Sequence, residues 1–372
     1  MPFKPFFLQQ NHAVKLKRLM WIAPNPYMQS SFSVVSRQLL ERLRGYETLY
    51  LGQHYYGEPR KHRNYTLVSY FAGDHILHYT ELFKPNVILL LQSPAYLKTL
   101  TPILEIIKKS SLNTKTILYT PIEGYPMTFD IDPLFSTANQ ILVPSRYSQE
   151  CLKKHGYSSE VLMHGVDCSV FHPAPKPSNF TVGSIASDVW RKQLTRIIDA
   201  HRLCLDRGFQ VRFLMFTSTY DFAPWQPNLK KYAEKTSPTA WFNETAYLNL
   251  SVSQKAIANL YNQMHCHVLT STEAFGLPNL EAMASQTVPI IVPHGASSEV
   301  VGDCGIYAKI KDYLDLVIGK IALVDVEDLA NKIIWADQHP SELTKLALKG
   351  LQRAKLFNWE NITNRLETLL AD

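Results

Sequence analysis

No apolar run in this 372-residue chain approaches the roughly 18 residues that a membrane-spanning helix needs; the longest, Val87–Leu91, has the length of a strand. Cysteine is scarce. Cys151, Cys168, Cys204, Cys266 and Cys304 lie far apart and form no C-x-x-C pair, which argues against a disulfide framework or a zinc knuckle and leaves reduced, buried thiols as the expectation. Net charge is small: 38 basic against 32 acidic residues give +6, too mild to choose among anionic substrates, an acidic membrane surface and nucleic acid. Tyrosine and phenylalanine are plentiful, yet no basic stripe marks a phosphate track, so nucleic acid is not an expected partner. Short-period repeats and low-complexity tracts are absent. A secretory signal places basic residues before apolar ones; here Phe3, Phe6 and Phe7 precede the basic segment 15–18, so a cytoplasmic protein is expected. That segment offers a means of peripheral contact with the inner face of a membrane, although a terminus leading into a strand is the plainer reading.

What is present is a globular composition, 46% hydrophobic and 19% charged, in a chain long enough for two domains. Strand-like runs at 19–23, 46–51, 87–91, 116–119 and 141–143 alternate with helical spacing at 32–43, 102–109 and 145–155. After His172-Pro-Ala-Pro-Lys-Pro-Ser178, whose prolines exclude a helix interior, the alternation restarts. Strands are predicted at 180–185, 211–216, 267–270 and 288–292, and helices at 191–205, 253–263 and 278–285. Such alternation predicts parallel sheets covered on both faces. The fold class is therefore α/β, with a Rossmann-like domain over 1–174, a second over 179–356, and a final helix in 357–372 able to pack back on the first. Ligands of such sheets sit at the carboxyl ends of the strands, so the cleft between the domains is the expected site.

The stretch richest in chemistry is Ser271-Thr-Glu-Ala-Phe-Gly-Leu-Pro-Asn-Leu-Glu-Ala-Met-Ala284. Gly276 permits a backbone conformation that other residues resist, and Pro278 suits a helix's first turn, where its missing N–H is not needed. The helix then presents free amides and partial positive charge to the cleft, as an anion requires. Glu273 and Glu281 flank the turn, and carboxylates accept paired hydrogen bonds from vicinal diols.

This segment resembles the Glu-x7-Glu motif of the family 4 retaining glycosyltransferases of the GT-B fold (glycosyl transferases group 1). Val143-Pro-Ser-Arg146, Met163-His-Gly-Val-Asp-Cys-Ser-Val-Phe-His-Pro173 and Phe357-Asn-Trp-Glu360 resemble further segments of that family in the same order. The resemblance implies two Rossmann-like domains, the first for the acceptor and the second for a nucleotide-diphosphate sugar, UDP- or GDP-linked. It further implies retention of anomeric configuration without a metal or other cofactor, and a glycan, lipid-linked or protein-linked acceptor hydroxyl. Carried over residue by residue, Glu281 holds the donor ribose and Glu273 lies near the transferred sugar. The backbone at Phe275, Gly276 and Leu277, with Asn279, serves sugar and phosphate, and Lys192 neutralises the diphosphate.

The chain departs from the family in three places. Ser187 stands where the family has an arginine, with Arg191 as the alternative cation; the glycine-rich first loop is replaced by Gln29-Ser-Ser-Phe-Ser33, leaving Ser31 and its neighbour to offer amides; and a first-domain histidine gives way to Pro121-Ile-Glu-Gly-Tyr125, where Glu123 is the candidate for acceptor or sugar contact. The segment 241–243 is expected to line the base pocket. Asp130-Ile-Asp132 and His265-Cys-His267 imitate metal motifs and are read as structural. An inactive nucleotide-sugar-binding protein and a nucleic-acid-modifying sugar transferase remain as alternatives.

Overall fold

The structure, a computed structural model, describes residues 16–28, 30–70, 73–187, 189–217, 229–236, 240–244 and 252–371. The three N-terminal phenylalanines and Lys15 lie outside them. Arg18, the end of the basic segment, is tied into the fold: its guanidinium reaches Glu47 at 3.2 Å and the Phe83 carbonyl at 3.0 Å.

The first sheet comprises β1 (Lys17–Pro24), β2 (Tyr46–Gln53), β3 (Arg60–Lys61), β4 (Tyr65–Tyr70), β5 (Val87–Leu91), β6 (Lys115–Tyr119), β7 (Gln140–Val143) and β8 (Glu160–Val161). Their order is β3-β4-β2-β1-β5-β6-β7-β8, and all neighbours are parallel except β3 with β4. Both faces are covered, so side chains alternate between two cores. Met20, Ile22, Ile88 and Leu90 join one, while Leu19, Trp21, Leu89 and Leu91 join the other. The final helix, Trp359–Ala371, belongs to the second of these cores through Trp359, Ile362, Leu366, Leu369 and Leu370, so the chain's last segment packs on the first sheet.

The second sheet comprises β9 (Thr181–Ile185), β10 (Arg212–Thr217), β11 (Ala240–Glu244), β12 (Cys266–Leu269), β13 (Val288–Ile291) and β14 (Ile306–Tyr307), ordered β11-β10-β9-β12-β13-β14 and parallel throughout. In each sheet the order reverses beside its first strand, at β1/β5 and at β9/β12. A crevice opens at such a reversal, and ligands favour it.

Several elements differ from the sequence reading. Strand β4 and the helices Gly73–Phe83 and Pro340–Ala354 were not predicted. Nor was the antiparallel hairpin β15 (Ile310–Leu316) and β16 (Gly319–Val324). Its turn rests on the first domain: Thr128 N–H donates to the Val317 carbonyl at 3.1 Å. A Cβ on Gly319, which has φ +115°, would collide with the Gly124 backbone. The domains also meet where the Glu299 carboxylate accepts the amides of Arg146 and Tyr147, each at 3.2 Å, at the start of the helix Arg146–Lys154. No helix among the described residues is long and apolar enough to cross a membrane.

Candidate active site

The cleft between the domains encloses about 390 Å³. Its walls come from the loops that the two reversals predict: Ser30 and Ser31 after β1, Glu123 after β6, Ser187, Arg191 and Lys192 after β9, and Glu273 through Pro278 with Glu281 after β12.

A predicted helix over 191–205 is replaced at its start by a 3-10 turn, Trp190–Lys192, and the α-helix begins only at Leu194. Between them Gln193 adopts φ +54°. Its buried amide explains why: it donates to the carbonyls of Thr270 at 3.1 Å and Ala322 at 2.8 Å and accepts from Val324 N–H at 3.0 Å. This anchor aims Arg191 and Lys192 into the cleft.

There they meet two carboxylates. Lys192 pairs with Glu273, which also accepts from the Ser271 hydroxyl. Arg191 bridges Glu123 at 2.9 Å and Glu273 at 3.7 Å, linking the two domains. The nitrogen facing Glu273, Nη1, is buried and makes no hydrogen bond. Burial alone would raise the Glu273 carboxyl, but the charges of Lys192 and Arg191 and the hydrogen bonds overcome it and leave the pKa below its ordinary value. Burial lowers Lys192 and raises Glu123, although Arg191 pulls the latter down.

Glu281 is the electrostatic opposite. It stands on the second turn of the helix Leu277–Ala284, lines the same cleft and accepts one hydrogen bond, from the Tyr261 hydroxyl at 3.1 Å. Burial pushes its carboxyl up to about 8, and the Tyr261 bond pulls against this. The preceding turn depends on Gly276 at φ +92°, ψ 50°, the helix's N-cap. No side chain caps that end, which leaves its first amides to a ligand in the cleft.

Of the residues singled out from sequence, Ser31, Glu123, Ser187, Arg191, Lys192, Glu273, Phe275, Gly276, Leu277 and Glu281 all line this cleft. Asn279, expected to contact the donor, is not among them. The buried side chain turns to Ser297, donating to its hydroxyl at 3.3 Å, so it braces the turn from behind. Ser30 is the N-cap of the helix Ser31–Leu40, with its hydroxyl engaged by the Ser33 amide at 3.1 Å, whereas Ser31 is exposed. Gln29 lies outside the described residues, and of the segment 241–243 only the backbone, in β11, is described. Asp130 and Asp132 serve locally, one accepting from the Asp132 amide at 3.1 Å and the other from the Tyr157 hydroxyl at 2.6 Å. His265 and His267 each accept a β9 amide, from Thr181 at 3.1 Å and Ile185 at 3.2 Å. Among the described residues no group of three or more His, Cys, Asp or Glu is placed to hold a metal, and all five cysteines are free.

Sequence reasoning missed three polar residues of the cleft. His164 is buried against Phe275, with ring centroids 4.8 Å apart, and burial holds its pKa down to about 3, so the imidazole is neutral. Its position inside the Met163–Pro173 motif was a signal that could have found it. Thr217, at the end of β10, and Gln254 also line the cleft, and nothing local distinguishes either from an ordinary strand end or helix start.

Residues 171–340, most of the second domain, match the family model described as glycosyl transferases group 1. The chain is 29% identical over 178 residues to O-antigen chain mannosyltransferase B of Escherichia coli, covering 47% of this chain and 41% of that protein. It is 27% identical over 235 residues to the MMP alpha-(1->4)-mannosyltransferase of Mycolicibacterium hassiacum, covering 60% and 51%. The matches therefore span about half the length of these curated relatives. Among solved structures, a sucrose-phosphate synthase from Thermosynechococcus elongatus superposes with a TM-score of 0.75 at 15% identity, over 95% of this chain and 98% of the other. The fold is GT-B, and the family model that matches the second domain describes the same group that the Glu-x7-Glu segment resembles.

Proposed function

We propose that this chain, with its glycosyl transferases group 1 domain, transfers a sugar from a nucleotide-diphosphate donor, UDP- or GDP-linked, to an acceptor hydroxyl in glycan or glycolipid assembly. One observation carries the reading. Two cations from the loop after β9, two carboxylates after β12 and an uncapped helix start converge on a single cleft between two Rossmann-like domains. A nucleotide-diphosphate sugar needs these groups: carboxylate for diols, cation for diphosphate, and free amides for phosphate or sugar oxygens.

In this reading the donor binds the second domain, with its ribose at Glu281 and its diphosphate near Lys192, Arg191 and the amides of Phe275 to Leu277. The Arg191 nitrogen that faces Glu273 at 3.7 Å makes no hydrogen bond and keeps its donors for a phosphate oxygen. As the bond to the sugar breaks, the diphosphate gains charge, and fixed cations in a water-poor cleft stabilise that charge without reorganising. Glu273 orients the transferred sugar beside the reacting carbon, while Glu123 meets the acceptor from the first domain. Anomeric configuration is retained, the leaving phosphate helping to take the acceptor's proton. No metal ion enters this reading, because Lys192 and Arg191 supply the positive charge. Two relatives named as mannosyltransferases support a hexosyl, and first a mannosyl, donor.

The test is a thermal-shift panel of UDP, GDP, ADP and their sugars, followed by acceptor-dependent release of the nucleotide. A ligand at a hundred times its dissociation constant adds about 2.7 kcal/mol. The expected result is a shift with one nucleotide that is lost in both Lys192→Ala and Glu281→Ala. A shift with none of them would sink the reading. A shift without transfer to any acceptor would favour a binding protein over an enzyme.

A further inference from the structure

Tyr261 closes the helix Gln254–Asn262 and is fully buried. Its carbonyl accepts from Lys176 Nζ at 3.0 Å and from the Thr287 hydroxyl at 2.7 Å. Its ring lies edge-on to Phe171, centroids 6.1 Å apart, and to His267, 5.3 Å apart. Main chain and ring are thus held by groups other than Glu281, and Lys176 ties them to the interdomain linker.

Packing alone would be served by phenylalanine. A hydroxyl in an apolar cluster costs desolvation unless it is hydrogen-bonded, and this one donates to Glu281 Oε2 at 3.1 Å. A carboxylate on a helix can swing through several rotamers. The fixed phenol selects the one in which Oε2 is engaged, leaving Oε1 to the cleft.

We propose that Tyr261 is a positioning residue for ribose recognition, its hydroxyl orienting the Glu281 carboxylate so that the remaining acceptor sites meet the vicinal diol of a nucleoside diphosphate. The inference rests on the donor-side role given to Glu281 above. Tyr261 itself does not reach the ligand: it lies behind Glu281, outside the cleft's lining.

The experiment measures binding of UDP, GDP and ADP, and of their 2′,3′-dideoxy counterparts, to the full chain by calorimetry. Tyr261→Phe keeps the ring and removes only the hydroxyl. Affinity for the ribonucleotide that binds is expected to fall by about tenfold, the scale of one hydrogen bond, and that for its dideoxy form by less than about twofold. In a Glu281→Gln background the same change should add nothing further, because the two act through one contact. Equal losses for both sugar forms would mean a general packing role and would overturn the inference. No loss for either would overturn it too, and the donor role of Glu281 would still stand if Glu281→Gln alone abolished the preference for ribose. Wild-type protein that binds none of these nucleotides would overturn the donor reading and this inference with it.

Discussion

Glu273 and Glu281 share one turn, one cleft and one residue type, yet their surroundings drive them apart. Glu273 is saturated with Lys192, Arg191 and Ser271 and is held ionised. Glu281 has one neutral donor and is pushed up to about 8. When environment separates the pKa values of paired carboxyls, their tasks separate as well. A permanently charged group suits the region of developing charge, whereas a carboxyl that is nearly neutral when the cleft is empty suits hydroxyls, which both donate and accept.

The strongest way to break this comparison is to strip Glu273 of its counter-charge. Removing one partner of a buried pair leaves the other uncompensated and costs about 3–5 kcal/mol. Lys192→Met should therefore lower urea-measured stability by about 3 kcal/mol, and adding Glu273→Gln should restore most of it. Sugar transfer should fall by at least about a hundredfold in both variants. A double variant as unstable as the single would show that Glu273 does not depend on Lys192.

A middle-sized effect sharpens the other half. The folded pKa of Glu281 is raised, so the folded state is favoured while the group is protonated. That contribution is complete below about 4.5, the ordinary value, and is lost as pH rises through about 8. Wild-type Tm should thus decline across that window relative to Glu281→Gln, which has no proton to lose. Parallel curves for the two proteins would mean that solvent reaches Glu281 freely.

The smallest effect belongs to Glu123. Its pair with Arg191 leaves side chains 19% and 26% exposed, and Arg191 keeps Glu273 as a second partner. Glu123→Gln should change stability by less than about 1 kcal/mol. A loss nearer 3 kcal/mol would place Glu123 inside the buried network with Glu273 and erase the distinction between rim and core of the cleft.

Much of the fold was legible before any coordinates. Runs such as Val87–Leu91 and the breaker His172–Ser178 carry their meaning within a few residues, because strand, helix and turn preferences are local. The missed hairpin has a different character. The hairpin β15–β16 has an exposed first strand carrying Lys311, Asp312 and Asp315, so it lacks the apolar run by which the other strands were recognised. Its seat on Gly124 arises only when the two domains meet.

The site divides the same way. The sequence by itself determined that a glycine-proline turn would open a helix after a strand, with one carboxylate before it and one on it, because Gly276, Pro278, Glu273 and Glu281 act on their own neighbours. Only the tertiary structure decided what each carboxylate would be. Lys192 reaches Glu273 across 81 positions and Tyr261 reaches Glu281 across 20. Asn279, in the middle of the motif, turned to Ser297 instead of the cleft. Charge state depends on desolvation and on partners a few ångströms away in space, and neither is written in the spacing of residues along the chain.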